Sequence, residues 1–447
     1  MDSIEVDVRV TENTYDLALS QLFTMAARKN KKRSFLFVSN VLGKHISVVP
    51  AVSLLYGRAL AATYVNMQQL APLSYEPTLK EVLKQGEEQA AIAFYETIRN
   101  DRYRLQEQTL FIGFAETATA LGHAVFEAFE NGMYVHTTRE QLLHQPETLT
   151  FEEEHSHATA QRCYVQENWL QHDGPVVLVD DEITTGKTAL NIIEDLHARY
   201  PRKAYTVLSL LDWRTSEHVA ACRAVEQALG ITITFCSLLR GDIEVKGSPL
   251  AQEKPYEYHA LQDSPAPTIK HHALGQNVSA SALYSAGTEQ NDSPYLVYTG
   301  RFGLQAEQQA AVDTYCSEVA RSLQPFVISP ERTLCLGTGE FMYIPMKIAG
   351  HLGVTAYHST TRSPVHREER PHYGVQNGIS FTSLEEKSLL NYVYNIPYGA
   401  YDDLFLFIER HHSQEALQSI LASLSKTGVQ RIHLVTHTPA HVGKETT

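Results

Sequence analysis

The chain has 447 residues, 43% of them apolar and 20% charged, which is enough to bury more than one core and excludes a disordered polypeptide. Its 37 basic and 51 acidic residues leave a formal net charge of −14, which argues against grip on nucleic acid by bulk charge. No apolar run reaches bilayer length, and the acidic start Met1-Asp2-Ser3-Ile4-Glu5-Val6-Asp7 lacks the layout of a secretion signal. The five cysteines, Cys163, Cys222, Cys236, Cys316 and Cys335, are scattered without CxxC spacing and read as reduced core thiols of a cytoplasmic protein.

In chain order, Ser34 to Ser39 is a short apolar run rich in β-formers, and Thr109 to Phe114 is a second. The second leads into Ala118 to Phe129, which has helical spacing. Met133 to Thr138 reads as a third strand. Pro175 to Val179 is a fourth, continuously apolar and so buried on both faces. A helix over Ala189 to Ala198 and a strand over Ala204 to Leu211 follow. This alternation predicts a mainly parallel sheet covered by helices. Residues 256–294 are dominated by Pro, Ser and Ala with no period, as in Ser264-Pro265-Ala266-Pro267, and read as a linker. The expected organisation is therefore two α/β domains, 1–255 and 295–447.

The two parts share a pattern. Phe35 to Ser39 with Gly43 is similar to Tyr295 to Thr299 with Gly303. Phe111-Ile112-Gly113-Phe114-Ala115-Glu116 is similar to Cys335-Leu336-Gly337-Thr338-Gly339-Glu340. Tyr134 to Arg139 is similar to Tyr357 to Arg362, and Val176 to Glu182 lies opposite Asp403 to Glu409. Four matches in the same order point to an internal duplication; two unrelated domains with shared turn composition are the alternative.

The strongest chemical signal is the run Val176 to Thr188. A buried strand ends in Asp180-Asp181, and the loop Thr184-Thr185-Gly186-Lys187-Thr188 opens a helix. Hydroxyls, backbone N–H groups and a helix N-terminus make a phosphate cradle. The carboxylates before it can accept hydrogen bonds from sugar hydroxyls. A nucleotide-binding P-loop would need Gly where Asp181 stands, and a carboxylate there would repel a β-phosphate. A plain acidic strand end with a Thr cap explains Thr184 or Thr188 alone, not the whole run.

This run resembles the phosphoribosyl-pyrophosphate (PRPP) signature of type I phosphoribosyltransferases, especially the orotate-like ones. The resemblance implies that Asp180 and Asp181 bind the ribose hydroxyls, with any Mg²⁺ reached only indirectly through PRPP. It implies that Thr184, Thr185, Gly186, Lys187 and Thr188 hold the 5′-phosphate. Glu182 and Lys187 depart from the usual apolar and small residues. The loop with Glu116, Thr117 and Ala118 stands where the family binds pyrophosphate through backbone N–H groups. Glu116 could hold Mg²⁺ or a substrate amine, or serve as the favourable first-turn acid of its helix. Thr138 and Arg139 end the next strand, where the family carries basic residues. His155 and His157 lie where the family has a mobile catalytic loop; an acidic surface loop is the bland alternative. Trp213 could stack on an acceptor base and Asp212 could bond its edge, although Trp is more often simply packed. Val41 to His45 could form part of a hood over the acceptor.

The C-terminal part resembles the TRSP domain, named for the run standing here as Thr361-Arg362-Ser363-Pro364. That domain occurs fused to phosphoribosyltransferase-like domains in gene clusters linked to tellurium resistance and stress. After Glu409 it has Arg410-His411-His412 and no phosphate loop. A second anion site bounded by Gly337, Thr338, Gly339, Thr361 and Arg362 is expected, since loops beyond the carboxyl ends of parallel strands form the ligand crevice. The implied activity is Mg²⁺-dependent transfer of phosphoribose from PRPP to a small-molecule acceptor, with no nucleic-acid or membrane partner and a homodimer left open. The alternatives are a non-catalytic PRPP or nucleotide sensor, and a nucleotide phosphoribosyl hydrolase or phosphorylase.

Overall fold

The computed structural model describes residues 5–28, 34–152, 160–247, 258 and 265–440. In the first half the elements run β1 (Glu5–Asn13), β2 (Phe23–Ala27), β3 (Phe35–Ser39), α1 (Pro50–Met67), α2 (Glu76–Gln85), α3 (Glu88–Ile98), β4 (Tyr103–Gly113), α4 (Ala118–Phe126), β5 (Phe129–His136), β6 (Leu149–Glu152), β7 (Ala160–Cys163), β8 (Val176–Ile183), α5 (Lys187–Arg199), β9 (Ala204–Asp212), α6 (Ser216–Leu229) and β10 (Thr232–Lys246). In the second they run β11 (Thr268–Ala273), β12 (Leu304–Gln305), α7 (Gln309–Leu323), β13 (Thr333–Gly337), α8 (Tyr343–His351), β14 (Ala356–Ser359), β15 (Gly378–Thr382), β16 (Leu390–Tyr394), β17 (Asp403–Ile408), α9 (Gln414–Ser425) and β18 (Arg431–Thr436). Among the described residues, no helix is long and apolar enough to cross a membrane.

The apolar run Val176 to Val179 is buried throughout and lies at the centre of a sheet ordered β1-β10-β9-β8-β4-β5-β12. The five inner strands from β10 to β5 are parallel, as continuous apolar strands require when helices cover both faces. The helix expected over 118–129 stops at Phe126, because Phe129 instead opens β5 by pairing with Tyr103 of β4.

The second sheet, β11-β18-β17-β13-β14, is parallel throughout; its strands β18-β17-β13-β14 repeat the order of β9-β8-β4-β5, while the place of β10 is taken by β11 from the start of the second half. Its edge strand β11 falls inside the stretch expected as a linker. It is six residues long and mostly exposed, so its Thr-Ile-Lys-His-His-Ala sequence shows no apolar alternation.

The sheet registers align the two halves residue by residue. Gly113 pairs with His136 and Gly337 with Ser359, so Thr138-Arg139 and Thr361-Arg362 occupy equivalent strand ends. Gly113 pairs with Val179, whereas Leu336 pairs with Leu406. Asp181 is therefore equivalent to Glu409, one position away from the pairing the sequence suggests. Thr138 bridges Arg162 of the β6–β7 hairpin, and Thr361 bridges Tyr392 of the β15–β16 hairpin. Gln161 and Asn391 are thus equivalent too.

Each half lends a segment to the edge of the other's sheet. The Val48 and Tyr357 backbones exchange two hydrogen bonds of 2.9 Å, and Leu304 of β12 pairs with Tyr134 of β5. Just upstream, Gly43 and Gly300 both have positive φ and lie flat on those same tyrosine rings. A Cβ at Gly43 would come within 2.8 Å of Tyr357, and one at Gly300 within 2.5 Å of Tyr134. Gly43 thus corresponds to Gly300, not to Gly303 as the sequence pattern has it.

A buried ionic cluster ties the helical faces together. Lys347 of α8 lies 3.2 Å from Glu127 and 3.0 Å from Asp313, and Arg58 of α1 approaches Glu127 at 4.0 Å. Burial alone would raise the Glu127 carboxyl, but Lys347, Arg58 and the Tyr343 hydroxyl hold it down to about 2.

Candidate active site

The carboxyl end of β8 opens on a cavity of about 200 Å³. Asp180, Asp181, Glu182 and the whole loop from Thr184 to Thr188 line it, so the sugar-binding acids and the phosphate loop expected from sequence share one wall. The Asp181 N–H donates to Asp180 Oδ1 at 2.9 Å, which holds the Asp180 carboxylate against the backbone of its neighbour. Gly186, at φ +83°, turns the chain into α5, and the Lys187 N–H is capped by Thr185 Oγ1 at 3.1 Å. An open helix N-terminus beside two hydroxyl-bearing residues suits a phosphate monoester.

Phe114 and Ala115 of the loop after β4 form the facing wall, with Gln161 beside them. Gln161 donates to the Ala115 carbonyl at 2.7 Å and accepts from Thr137, whose Oγ1 in turn accepts from the Ala115 N–H at 2.8 Å. Sequence reasoning missed Gln161, because nothing marks a lone amide in a hairpin.

It also missed Arg28, which lines the cavity from the end of β2. A signal existed: Arg28 opens the run Arg28-Lys29-Asn30-Lys31-Lys32-Arg33, the densest basic stretch of an acidic chain. Arg28 Nη2 donates to Ser363 Oγ at 3.3 Å.

Several expected site residues face elsewhere. Glu116 turns away from the β8 cavity, and its carboxylate lies 3.3 Å from the buried Lys44 and 3.7 Å from Arg139. It accepts from Thr361 Oγ1 at 3.1 Å and from the Arg362 N–H at 3.4 Å. Burial opposes ionisation of Glu116, but Lys44, Arg139 and Arg362 outweigh it and hold the carboxyl below its ordinary value.

The second half returns the arrangement. Glu340 accepts from Thr138 Oγ1 at 2.6 Å and from the Arg139 N–H at 2.9 Å, and it pairs with the buried Arg301 at 2.7 Å. Burial opposes here too, yet Arg301 and its neighbours hold Glu340 down to about 2. Each Thr-Arg strand end is therefore filled by a glutamate from the opposite half. Thr138 and Arg139 do not line the β8 cavity; Thr117 precedes α4 and Ala118 is buried beneath the loop.

Thr338, Gly339 and Arg362 line a second cavity, of about 50 Å³, together with Glu116, Arg139, Glu340 and Glu409. The anion position expected beside Thr361 and Arg362 already holds the Glu116 carboxylate. Gly337 lies under this wall; a Cβ there would come within 2.6 Å of the Phe341 carbonyl.

The acceptor role expected for Asp212 and Trp213 is corrected. Asp212 is buried against Arg214, with contacts of 2.7 and 2.9 Å. Trp213 stacks on Phe37 at 4.9 Å and meets Phe23 edge-on, which makes it part of the core beneath the β2–β3 hairpin. An aromatic ring between two phenylalanines is packed, not presented. His155 and His157 lie outside the described residues.

An open, mainly parallel α/β sheet with a crevice beyond its central strand, lined by paired carboxylates and a threonine-rich loop that opens a helix, is the architecture of a phosphoribosyl transferase. The match to known families is direct. A phosphoribosyl transferase family model covers residues 22–242, and a model of the TRSP domain that follows such domains covers residues 298–424. The chain thus carries a phosphoribosyl transferase domain followed by a C-terminal TRSP domain. Among solved structures it is similar to adenine phosphoribosyl transferase from Trypanosoma brucei, at 13% identity over 48% of this chain and 76% of that one, with a TM-score of 0.29. It is similar to APRTase from Giardia lamblia at 16% identity over 36% and 84%, TM-score 0.22. No curated protein matches the chain.

Proposed function

We propose that the N-terminal half transfers the 5-phosphoribosyl group of PRPP to a base-like or other small-molecule acceptor. The observation that carries this reading is the shared cavity of Asp180, Asp181 and Thr184 to Thr188. The Thr184–Thr188 loop holds the 5′-phosphate, and Asp180 with Asp181 holds the ribose hydroxyls. In the reaction the bond from C1 to pyrophosphate breaks and a bond from C1 to an acceptor nitrogen or carbon forms; the acceptor's proton leaves to solvent or to pyrophosphate. The paired carboxylates add negative potential beside the oxocarbenium-like transition state. Ala115, held on both sides by Gln161 and Thr137, presents the wall that meets the leaving group.

Among the described residues no group of three His, Cys, Asp or Glu side chains is arranged to hold a metal. Mg²⁺ suits this site as a partner of pyrophosphate oxygens, with Asp180 and Asp181 touching it only through the sugar. All five cysteines are free thiols, as suits the cytoplasm. One observation favours a second reading, a PRPP-binding regulator without turnover: Thr138 and Arg139, which would neutralise pyrophosphate, are engaged by Glu340. A screen of bases and small acids with PRPP and Mg²⁺ for pyrophosphate release decides between them. Acceptor-dependent release supports the transferase; PRPP binding with no release under any acceptor supports the regulator.

A further inference from the structure

The run Thr361-Arg362-Ser363-Pro364 is not itself part of the β8 cavity lining, yet it touches Arg28, which lines the cavity, and Glu116, which follows the lining residue Ala115. Thr361 Oγ1 and the Arg362 N–H donate to Glu116, the residue after Ala115. Ser363 Oγ accepts from Arg28, which lines the cavity. Beyond it the chain continues along the β2–β3 hairpin. Val365 bridges Arg28, the His366 N–H donates to the Ala27 carbonyl at 3.0 Å, and the Gly374 N–H donates to the Met25 carbonyl at 2.8 Å. Tyr373 Oη accepts from the Ala27 N–H at 2.8 Å and donates to the His366 carbonyl at 2.9 Å. The hairpin that carries Arg28 is thus backed, residue by residue, by the C-terminal domain.

We infer that this segment is a clamp by which the C-terminal domain sets the geometry of the phosphoribosyl cleft, with Ser363 as a positioning residue for Arg28. The inference rests on the reading of the β8 cavity as a PRPP site. Arg28 lines the same cavity as Ala115, whose loop would meet the pyrophosphate end of PRPP, and a guanidinium in that cavity supplies cationic donors for phosphate oxygens. An arginine on a hairpin end carries large rotamer entropy, and a fixed hydroxyl acceptor removes part of it before the ligand arrives. Thr361 and Arg362 hold Glu116, the residue after Ala115, so one tetrapeptide anchors both Arg28 and the end of the Ala115 loop. Ser363 touches neither sugar nor phosphate in this arrangement; its effect passes through Arg28.

The test compares full-length wild type, Ser363→Ala, Ser363→Thr and Arg28→Gln by calorimetry, with PRPP and with ribose 5-phosphate, each with Mg²⁺. Ser363→Ala is expected to weaken PRPP roughly tenfold, the scale of a hydrogen bond to a charged group, while leaving ribose 5-phosphate within about twofold. Ser363→Thr, which keeps the hydroxyl, restores PRPP affinity. Arg28→Gln weakens PRPP at least as much as Ser363→Ala. Unchanged PRPP affinity in Ser363→Ala, or equal loss for both ligands, overturns the clamp while leaving the PRPP site standing. If the wild-type chain binds neither ligand, the reading of the site fails and the clamp with it. If Ser363→Ala does not fold, Arg28→Gln carries the test alone: selective loss of PRPP supports the inference and unchanged affinity overturns it.

Discussion

The ends of β8 and β17 occupy the same place in two four-strand parallel units of the same order, β9-β8-β4-β5 and β18-β17-β13-β14, and they do opposite things. After β8 the chain leaves Asp180 and Asp181 on a cavity and opens a helix with Thr184 to Thr188 around it. After β17 it places Arg410, fully buried, against the carbonyls of Ser293 and Asn291 and the carboxylate of Glu385. In the shared register Arg410 is equivalent to Glu182, and it is taken up by protein carbonyls at a position that lines a cavity in the first half. The comparison teaches that the parallel frame is general and that the ligand chemistry sits in the few residues past the strand end. It also shows what the second copy contributes: its Thr-Arg strand end and its glutamate lock the first half in place.

The largest effect that could break this contrast is on turnover. Asp180→Asn with Asp181→Asn should abolish product formation with the thermal midpoint little changed, because both carboxylates line a ligand cavity and Asn is close to Asp in size. Near-normal turnover in that variant removes the contrast between the strand ends.

Next comes the interface. Glu340→Gln should cost about 3 kcal/mol of stability, since it breaks a pair in which Arg301 is 2% exposed and stays buried. Chemical unfolding measures this, and a loss below about 1 kcal/mol would make the reciprocal glutamates ornamental.

Loss of one hydroxyl in the phosphate loop is smaller. Thr188→Ala should raise the PRPP dissociation constant roughly tenfold, from one charge-assisted hydrogen bond of about 1.5 kcal/mol. Calorimetry with unchanged affinity would place the 5′-phosphate elsewhere.

The smallest effect is on pH dependence. Glu340 and Glu127 titrate at about 2 when folded against an ordinary 4.5, so they stabilise the fold above 4.5 and lose that contribution as pH falls toward 2. Burial pushes Glu140 the other way, to about 7, so its contribution is present below 4.5 and lost as pH rises through 7. Unfolding midpoints should therefore drop on both flanks. Glu140→Gln should flatten only the alkaline one; a flattened acid flank instead would misassign the groups.

How much of this was legible in the sequence differs by element. Val176 to Thr188 was readable because one short segment carries both the apolar strand and the chemistry that follows it. The repeat was readable at Thr138-Arg139 and Thr361-Arg362, whose register the sheets share. The destination of those residues was not readable. Glu116 and Glu340 reach across to the opposite half, and no local pattern encodes a contact made 245 or 202 positions away. Trp213 looked like a stacking residue because its partners, Phe23 and Phe37, lie nearly two hundred residues upstream. β11 escaped because an exposed edge strand needs no apolar face.

The stoichiometry of PRPP binding to the full chain, by calorimetry with Mg²⁺, tests the central claim most directly. Two sheets of one design but a single phosphate loop predict one PRPP per chain, with that site lost in the Asp180→Asn, Asp181→Asn variant. Two sites per chain, or one site that survives the double substitution, would contradict the account.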